Sequence, residues 1–194
     1  AKLLNLNEKN IYRNISLLKP PSGRFEIISY KNITAVVDYA HTPDALLNVL
    51  NTINQINIDK SKVITVIGCG GGRDMKKRKK MGLIAVNHSS FSVFTSDNPR
   101  DENPEKIIED MISGIDTIQL KKVFIELDRE IAIKLALSMV DEKCIVLIAG
   151  KGHENYQIIK SKKIEFNDSY VVKKSLKIAA VSYTHLTLPT IAVV

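Results

Sequence analysis

The stretch Val63-Ile64-Thr65-Val66-Ile67-Gly68-Cys69-Gly70-Gly71-Gly72-Arg73-Asp74 decides the fold. Five β-branched residues in a row favour an extended strand, because branched side chains pack well on a pleated surface. The run is apolar without alternation, as expected for a strand covered on both faces in a parallel sheet. It then breaks into glycines and ends on two opposite charges. A helix is predicted from about residue 75 to 87, so the stretch is one strand–loop–helix unit.

The unit recurs along the chain. Residues 91–95 read as a strand, followed by the loop Ser96-Asp97-Asn98-Pro99-Arg100 and a helix over 104–115 opened by Asn103 and Pro104. Residues 144–149 read as another, followed by Gly150-Lys151-Gly152-His153-Glu154. Upstream, residues 34–38 lead through Tyr39-Ala40-His41 into a helix over 42–54, with Thr42 as N-cap and Pro43 in the first turn. A short strand over 123–126 precedes a helix over 128–140 capped by Asp128. Hairpins are predicted at both ends: 25–30 with 34–38, and 156–159 with 162–166, before a helix that begins near Asp168. Units of this size imply an α/β fold: a Rossmann-like, mostly parallel sheet with helices on both faces and an entry β-hairpin. In such sheets ligands bind outside the carboxyl ends of the strands. The three polar loops sit there.

The 194 residues suffice for one such domain and a short flank. Lys19-Pro20-Pro21-Ser22-Gly23 marks a boundary, since two prolines and a glycine do not continue a helix. Residues 1–19 are read as the end of a preceding unit, 20–180 as the domain, and 181–194 as a non-native tail whose composition differs from the rest. An apolar content of 44% suits a packed core. No apolar run approaches the ~20 residues that cross a bilayer, and the N-terminus lacks a signal-peptide layout. Cys69 and Cys144 are too few for a disulfide framework and read as small buried hydrophobes.

Net charge is +7, with the densest cluster at Lys76-Lys77-Arg78-Lys79-Lys80. Without interleaved aromatics this run reads as a solvated helix face or the rim of an anion site, rather than a nucleic-acid surface. The loops each carry two readings. Asp38 and His41 lie near a helix N-terminus, which favours anions; they are equally a strand-end cap and a surface histidine. The glycine loop lacks both the dinucleotide fingerprint and the P-loop ending. It presents backbone N–H groups beside Arg73, which can clamp a carboxylate, or it is a tight turn with a surface ion pair. Arg100 can clamp a second carboxylate, with Pro99 fixing the backbone and Asp97 or Asn98 orienting an ammonium or amide; the alternative is a helix-capping turn. Glu154 can pair with an ammonium, while His153 reads as a polar loop residue and Asp128-Arg129 as a helix cap with its neighbour.

Together, Ser22-Gly23-Arg24-Phe25-Glu26, the strings over 38–46, 68–82, 95–100 and 149–157, and Asp128-Arg129 resemble the C-terminal domain of the Mur ligases. The resemblance is strongest to the branch that adds meso-2,6-diaminopimelate to UDP-N-acetylmuramoyl-L-alanyl-D-glutamate. It implies ATP-driven amide formation in the cytoplasm during peptidoglycan precursor synthesis, with ATP phosphorylating the glutamyl carboxylate and Mg²⁺ neutralising phosphates. It implies that Arg73 holds the α-carboxylate of the amino acid. Asp97, Asn98, Pro99 and Arg100 form the loop for its distal carboxylate, with Asn98 and Arg100 making the contacts. Gly150 and Glu154 take its distal ammonium. Asp38 and His41 are carried over as the candidate catalytic, ATP-facing pair.

The sequence departs from the family pattern at Gly72, where Asp is usual, and at Lys80, where Pro is usual. The P-loop, the Mg²⁺ ligands and the UDP site belong to other domains of such ligases. The expectation is therefore a monomer without ligase activity by itself, binding neither nucleic acid nor membrane, with no metal ligands of its own. Two other readings are a folylpolyglutamate-type ligase domain, which would not be expected to carry Asp-Asn-Pro-Arg, and a nucleotide- or nucleic-acid-binding module built on the glycine loop and lysine cluster.

Overall fold

The computed structural model describes residues 21–140 and 143–184, with side chains up to residue 177. The entry hairpin pairs β1 (Glu26–Tyr30) with β2 (Ile33–Asp38) in antiparallel register, Ile28 opposite Ala35. Then follow α1 (Pro43–Ile56), β3 (Lys62–Ile67), α2 (Lys76–His88), β4 (Phe91–Phe94), α3 (Pro104–Ile112), α4 (Thr117–Leu120), β5 (Val123–Ile125), α5 (Arg129–Ser138) and β6 (Cys144–Ala149). A second hairpin, β7 (Tyr156–Ile159) with β8 (Lys162–Glu165), precedes α6 (Asp168–Thr184). The main sheet has strand order β1-β2-β6-β3-β4-β5, and every pairing except β1 with β2 is parallel. This is the expected α/β architecture.

The local signals acted where they were read. Thr42 accepts a hydrogen bond from the Ala45 N–H, and Asp128 accepts from Ile131 N–H. Strand β3 alternates between two cores. Val63 and Ile67 face the layer of α1, α2 and α3, with Leu46, Leu50, Met81 and Met111. Ile64 and Val66 face α5 and α6, with Ile133, Ala136 and Val172. Each fully buried Leu or Ile contributes ~1.5–3 kcal/mol, so both faces are needed to hold the sheet. Cys69 and Cys144 are both buried, as expected of small apolar residues, and burial pushes the Cys69 thiol up to about 12. A thiol so shifted is inert.

One expectation changed. The single helix over 104–115 stops at Ile112; Gly114 follows, and Asp116 caps a separate four-residue helix, α4. A turn that short carries no periodic signal. The last helix begins at Asp168, as expected, and runs to Thr184. Residues 1–19 and 185–194 lie outside the described residues.

Glu26 at the start of β1 anchors the entry hairpin to α6. It accepts from Lys173 Nζ and Ser169 Oγ, each at 2.9 Å, and from the Gly23 N–H and Ser22 Oγ. Burial works against its charge. The ammonium of Lys173, the Gly23 N–H and the two hydroxyls outweigh that, lowering its pKa from 4.5 to about 2. A depressed folded-state pKa gives stability that is complete above the unfolded value and lost as pH falls toward 2. Denaturant unfolding at pH 6 and pH 3 should therefore show a larger loss in the native chain than in Glu26→Gln. Equal losses would remove Glu26 as the anchor.

Candidate functional site

The loops leaving β2, β3, β4 and β6 converge at the carboxyl edge of the sheet around a cavity of about 530 Å³. Their closeness explains the glycines. A Cβ on Gly68 would lie 2.4 Å from the Thr95 carbonyl oxygen, and one on Gly71 only 2.0 Å from that of Pro99. The two loops interlock: the Gly71 N–H donates to Asn98 O at 2.9 Å, and Arg100 Nη1 donates to Gly71 O at 2.8 Å.

Hairpin β7–β8, outside the main sheet, clamps the second of these loops. Arg100 N donates to Ile158 O, Lys160 N to Arg100 O, and Gln157 Nε2 to Asp97 O at 2.7 Å. Arg100 is thereby held at φ +52°, a left-handed conformation uncommon for a side-chain-bearing residue and a sign of constraint from its surroundings. Ser96, Asp97 and Asn98 are buried.

Three buried cations support the site from beneath. Arg129 makes a bidentate pair with Asp168 at 2.8 and 2.9 Å and donates to the carbonyls of Ala149 and Ser96. Burial opposes its charge, but the carboxylate of Asp168 keeps its pKa raised. Arg78 pairs with Glu102 at 2.7 Å and Asp110 at 2.9 Å and reaches Gly70 O; Glu102 in turn accepts the Gly72 N–H at 2.6 Å. Arg78 is fully buried, so the basic run is not a uniformly solvated face. Its helical phase turns Arg78 inward with Met81 and Gly82, while Lys76, Lys77 and Lys80 line the cavity. Lys151, also fully buried, donates to Asn98 Oδ1 and Glu154 Oε2 at 3.0 Å each and reaches Asp97 Oδ1 at 3.4 Å. Burial would raise the Glu154 pKa; the donors on Asn98 and Lys151 reverse that and hold it below the usual carboxylate range.

Of the residues singled out in the sequence, His41, Arg73, Asp97, Asn98, Arg100, Gly150 and Glu154 all line the cavity. Arg73 is exposed at its mouth, and among the described residues no hydrogen bond or ion pair engages its guanidinium. Gly72 beside it is at φ +62°, and the carboxylate serving that turn comes from Glu102 instead. Pro99 shapes the loop but is not part of the lining. Nor is Asp38, whose Oδ2 accepts the Phe25 N–H at 2.8 Å. His41 lies on the rim, its Nδ1 2.9 Å from Tyr39 O and its ring 4.5 Å from that of Tyr39. Lys77 Nζ donates to His41 O, joining the rim to α2.

Arg129 and Lys151 were not assigned a role by the sequence reading. Only the identity of a charged residue beside a predicted strand end or helix start hinted at one. Asp168 lies 39 residues from Arg129, and Asn98 and Asp97 lie 53 and 54 residues from Lys151.

Five cations (Arg73, Lys76, Lys77, Lys80 and Arg100) and three carboxylates (Asp74, Asp97 and Glu154) line the cavity. Such a site suits a small molecule bearing both an ammonium and carboxylates. Among the described residues no group of three or more His, Cys, Asp or Glu is placed to hold a metal ion.

A mostly parallel, doubly covered sheet with an amino-acid-sized polar cavity at its carboxyl edge defines an α/β ligand-binding domain. The family model described as "Mur ligase, glutamate ligase domain" matches residues 23–152, and the chain belongs to that family. It is 48% identical over 175 residues to the UDP-N-acetylmuramoyl-L-alanyl-D-glutamate--2,6-diaminopimelate ligase of Bacteroides thetaiotaomicron, which covers 90% of this chain and 36% of that protein. The ligase of the same name from Aquifex aeolicus is 49% identical over 166 residues, 86% of this chain and 33% of that one. A solved structure of such a ligase superposes with a TM-score of 0.75 at 36% identity, covering 93% of this chain and 36% of its own. The chain thus spans about a third of the length of the curated relatives it matches.

Breaking a buried ion pair leaves an uncompensated charge. Asp168→Asn should therefore destabilise the domain by ~3–5 kcal/mol in denaturant unfolding. Replacing both partners, Arg129→Met with Asp168→Leu, should cost much less. A mild effect of the single change would show that Arg129 does not depend on Asp168.

Proposed function

We propose that this chain is the amino-acid-binding part of an ATP-driven ligase that joins meso-2,6-diaminopimelate to UDP-N-acetylmuramoyl-L-alanyl-D-glutamate in peptidoglycan precursor synthesis. The observation that carries this reading is a cavity lined both by two arginines, Arg73 and Arg100, and by the carboxylates of Asp97 and Glu154. Diaminopimelate carries an ammonium and a carboxylate at each end. In this reading Arg73 holds the α-carboxylate near the reacting amine. Arg100 and the outward N–H of Asn98 take the distal carboxylate. Arg100 spends Nη1 on the carbonyls of Gly71 and Asn98, leaving the rest of its fork for a ligand. The Gly150 carbonyl and Glu154 take the distal ammonium.

The contribution of these residues to the reaction is position. Holding the distal end of the amino acid fixes where its reacting amine points, which turns an encounter into an intramolecular step. ATP, when bound, would supply the activated glutamyl carboxylate that this amine attacks. His41, at the N-terminus of α1 beside Lys77, suits contact with a phosphate. Asp38 would act one step behind it, through the loop it ties to Phe25. The described residues offer no metal cluster, so Mg²⁺ would be held by the rest of the ligase. No helix among them is long and apolar enough to cross a membrane. The reading is of a monomeric cytoplasmic enzyme, and the chain alone should show no ligase activity.

Assaying the full-length ligase with meso-diaminopimelate and with L-lysine tests the substrate. Lysine lacks the distal carboxylate and would leave Arg100 unmatched, so diaminopimelate should be preferred; a preference for lysine would sink the assignment. Arg100→Ala should weaken use of diaminopimelate by ~1.5–3 kcal/mol in kcat/KM, the range for a hydrogen bond to a charged group. Unchanged kinetics would take Arg100 out of the site.

A further inference from the structure

Of the three buried cations, Lys151 is the one that touches the acids lining the cavity, Asp97 and Glu154. Its ammonium has three protons and three acceptors: Asn98 Oδ1, Glu154 Oε2 and Asp97 Oδ1. Two consequences follow.

The first concerns Asn98. Its Oδ1 accepts from both Lys151 Nζ at 3.0 Å and the Ile158 N–H at 2.9 Å. With the oxygen held by two donors, the amide nitrogen must face the other way. There it donates to Glu154 Oε2 at 2.9 Å and has a second N–H left over, in a residue that lines the cavity. The second concerns charge. Asp97 and Glu154 contribute −2, and Lys151 returns +1, so the wall has a net charge of −1. It can neutralise one further ammonium. Without Lys151, the carboxylates of Asp97 and Glu154 would lose the cation they share, and like charges that close resist joint ionisation.

We infer that Lys151 is a positioning residue for the amino-acid substrate: it fixes Asn98 with its N–H outward and sets the wall to accept a single ammonium. The assignment of that ammonium to diaminopimelate rests on the function proposed above; the orienting role rests on the contacts alone. Lys151 acts through Asn98 and Glu154 and does not itself line the cavity. The other titratable or charged groups around this wall are Arg129 and His153, whose fields reach Glu154, and Tyr156, whose ring lies 5.8 Å from Lys151 Nζ.

The test has two arms. In this chain, carboxyl NMR titration of Lys151→Met should show Glu154 taking up its proton at a higher pH than in the native chain, because the ammonium that holds its carboxylate charged is gone. Unmoved titrations would overturn the charge-setting role. In the full-length ligase, Lys151→Met should raise KM for diaminopimelate at least tenfold, with a much smaller change in kcat and in KM for ATP. The charge-balanced variant Lys151→Met/Asp97→Asn restores a net −1 and should recover part of that loss. It also removes the surplus buried charge that could prevent the single variant from folding. A native KM in the single variant, or no recovery in the double, would overturn the proposal. If the native ligase does not use diaminopimelate, the substrate reading fails, and the titration still decides the role of Lys151.

Discussion

One buried guanidinium joins more of this molecule than any strand pairing does. Arg129 lies at the first turn of α5 and Asp168 at the first turn of α6, and Arg129 also reaches the Ala149 carbonyl that ends β6 and the Ser96 carbonyl in the loop after β4. Four segments that carry or support the site thus share a single ionic contact with no exposure on either side chain. Removing such a pair from water costs several kcal/mol per ion unless the geometry and the extra hydrogen bonds repay it. Here the pair is bidentate, and two backbone oxygens take two of the three remaining N–H donors.

The same device recurs under each loop. Arg78 fastens the glycine loop through Gly70 and Glu102, and Lys151 fastens Asp97 and Asn98 to Glu154. Buried charges of this kind are poor sources of stability compared with apolar packing of equal volume. They do specify geometry. A site that must tell one end of a charged amino acid from the other needs donors and acceptors held at fixed angles. Loops at strand ends, lacking ladder hydrogen bonds, do not provide that unaided. The second hairpin adds main-chain bonds to the same end, pinning Arg100 in a backbone conformation it would not otherwise favour.

The cavity inherits its polarity from this scaffold. The cations that line it come from the glycine loop, α2 and the loop after β4, while the acids come from the glycine loop and the loops after β4 and β6. Both signs meet in one cavity because the strand order brings these loops together. With β6 between β2 and β3, the Glu154 loop is flanked by the His41 loop and the Arg73 loop, and the Arg100 loop follows on β4.

The sequence alone determined the alternation of strand and helix, because branched apolar runs, N-caps and glycine breaks are local chemistry. It also marked seven of the cavity's lining residues, since polar strings after apolar strands are legible one loop at a time. The short helix α4 escaped for want of periodicity. The basic run was misread at Arg78, because whether one residue of a charged helix faces inward depends on Glu102 and Asp110, 24 and 32 residues away. Only the tertiary structure decided the partners of Arg78, Arg129 and Lys151, the clamp of β7 on the Arg100 loop, and Asp38 as a backbone tie outside the cavity lining. Each of these is a contact between residues distant in sequence. Burial turns such a contact from optional to obligatory: a charge that water can no longer solvate must find its partner inside the fold.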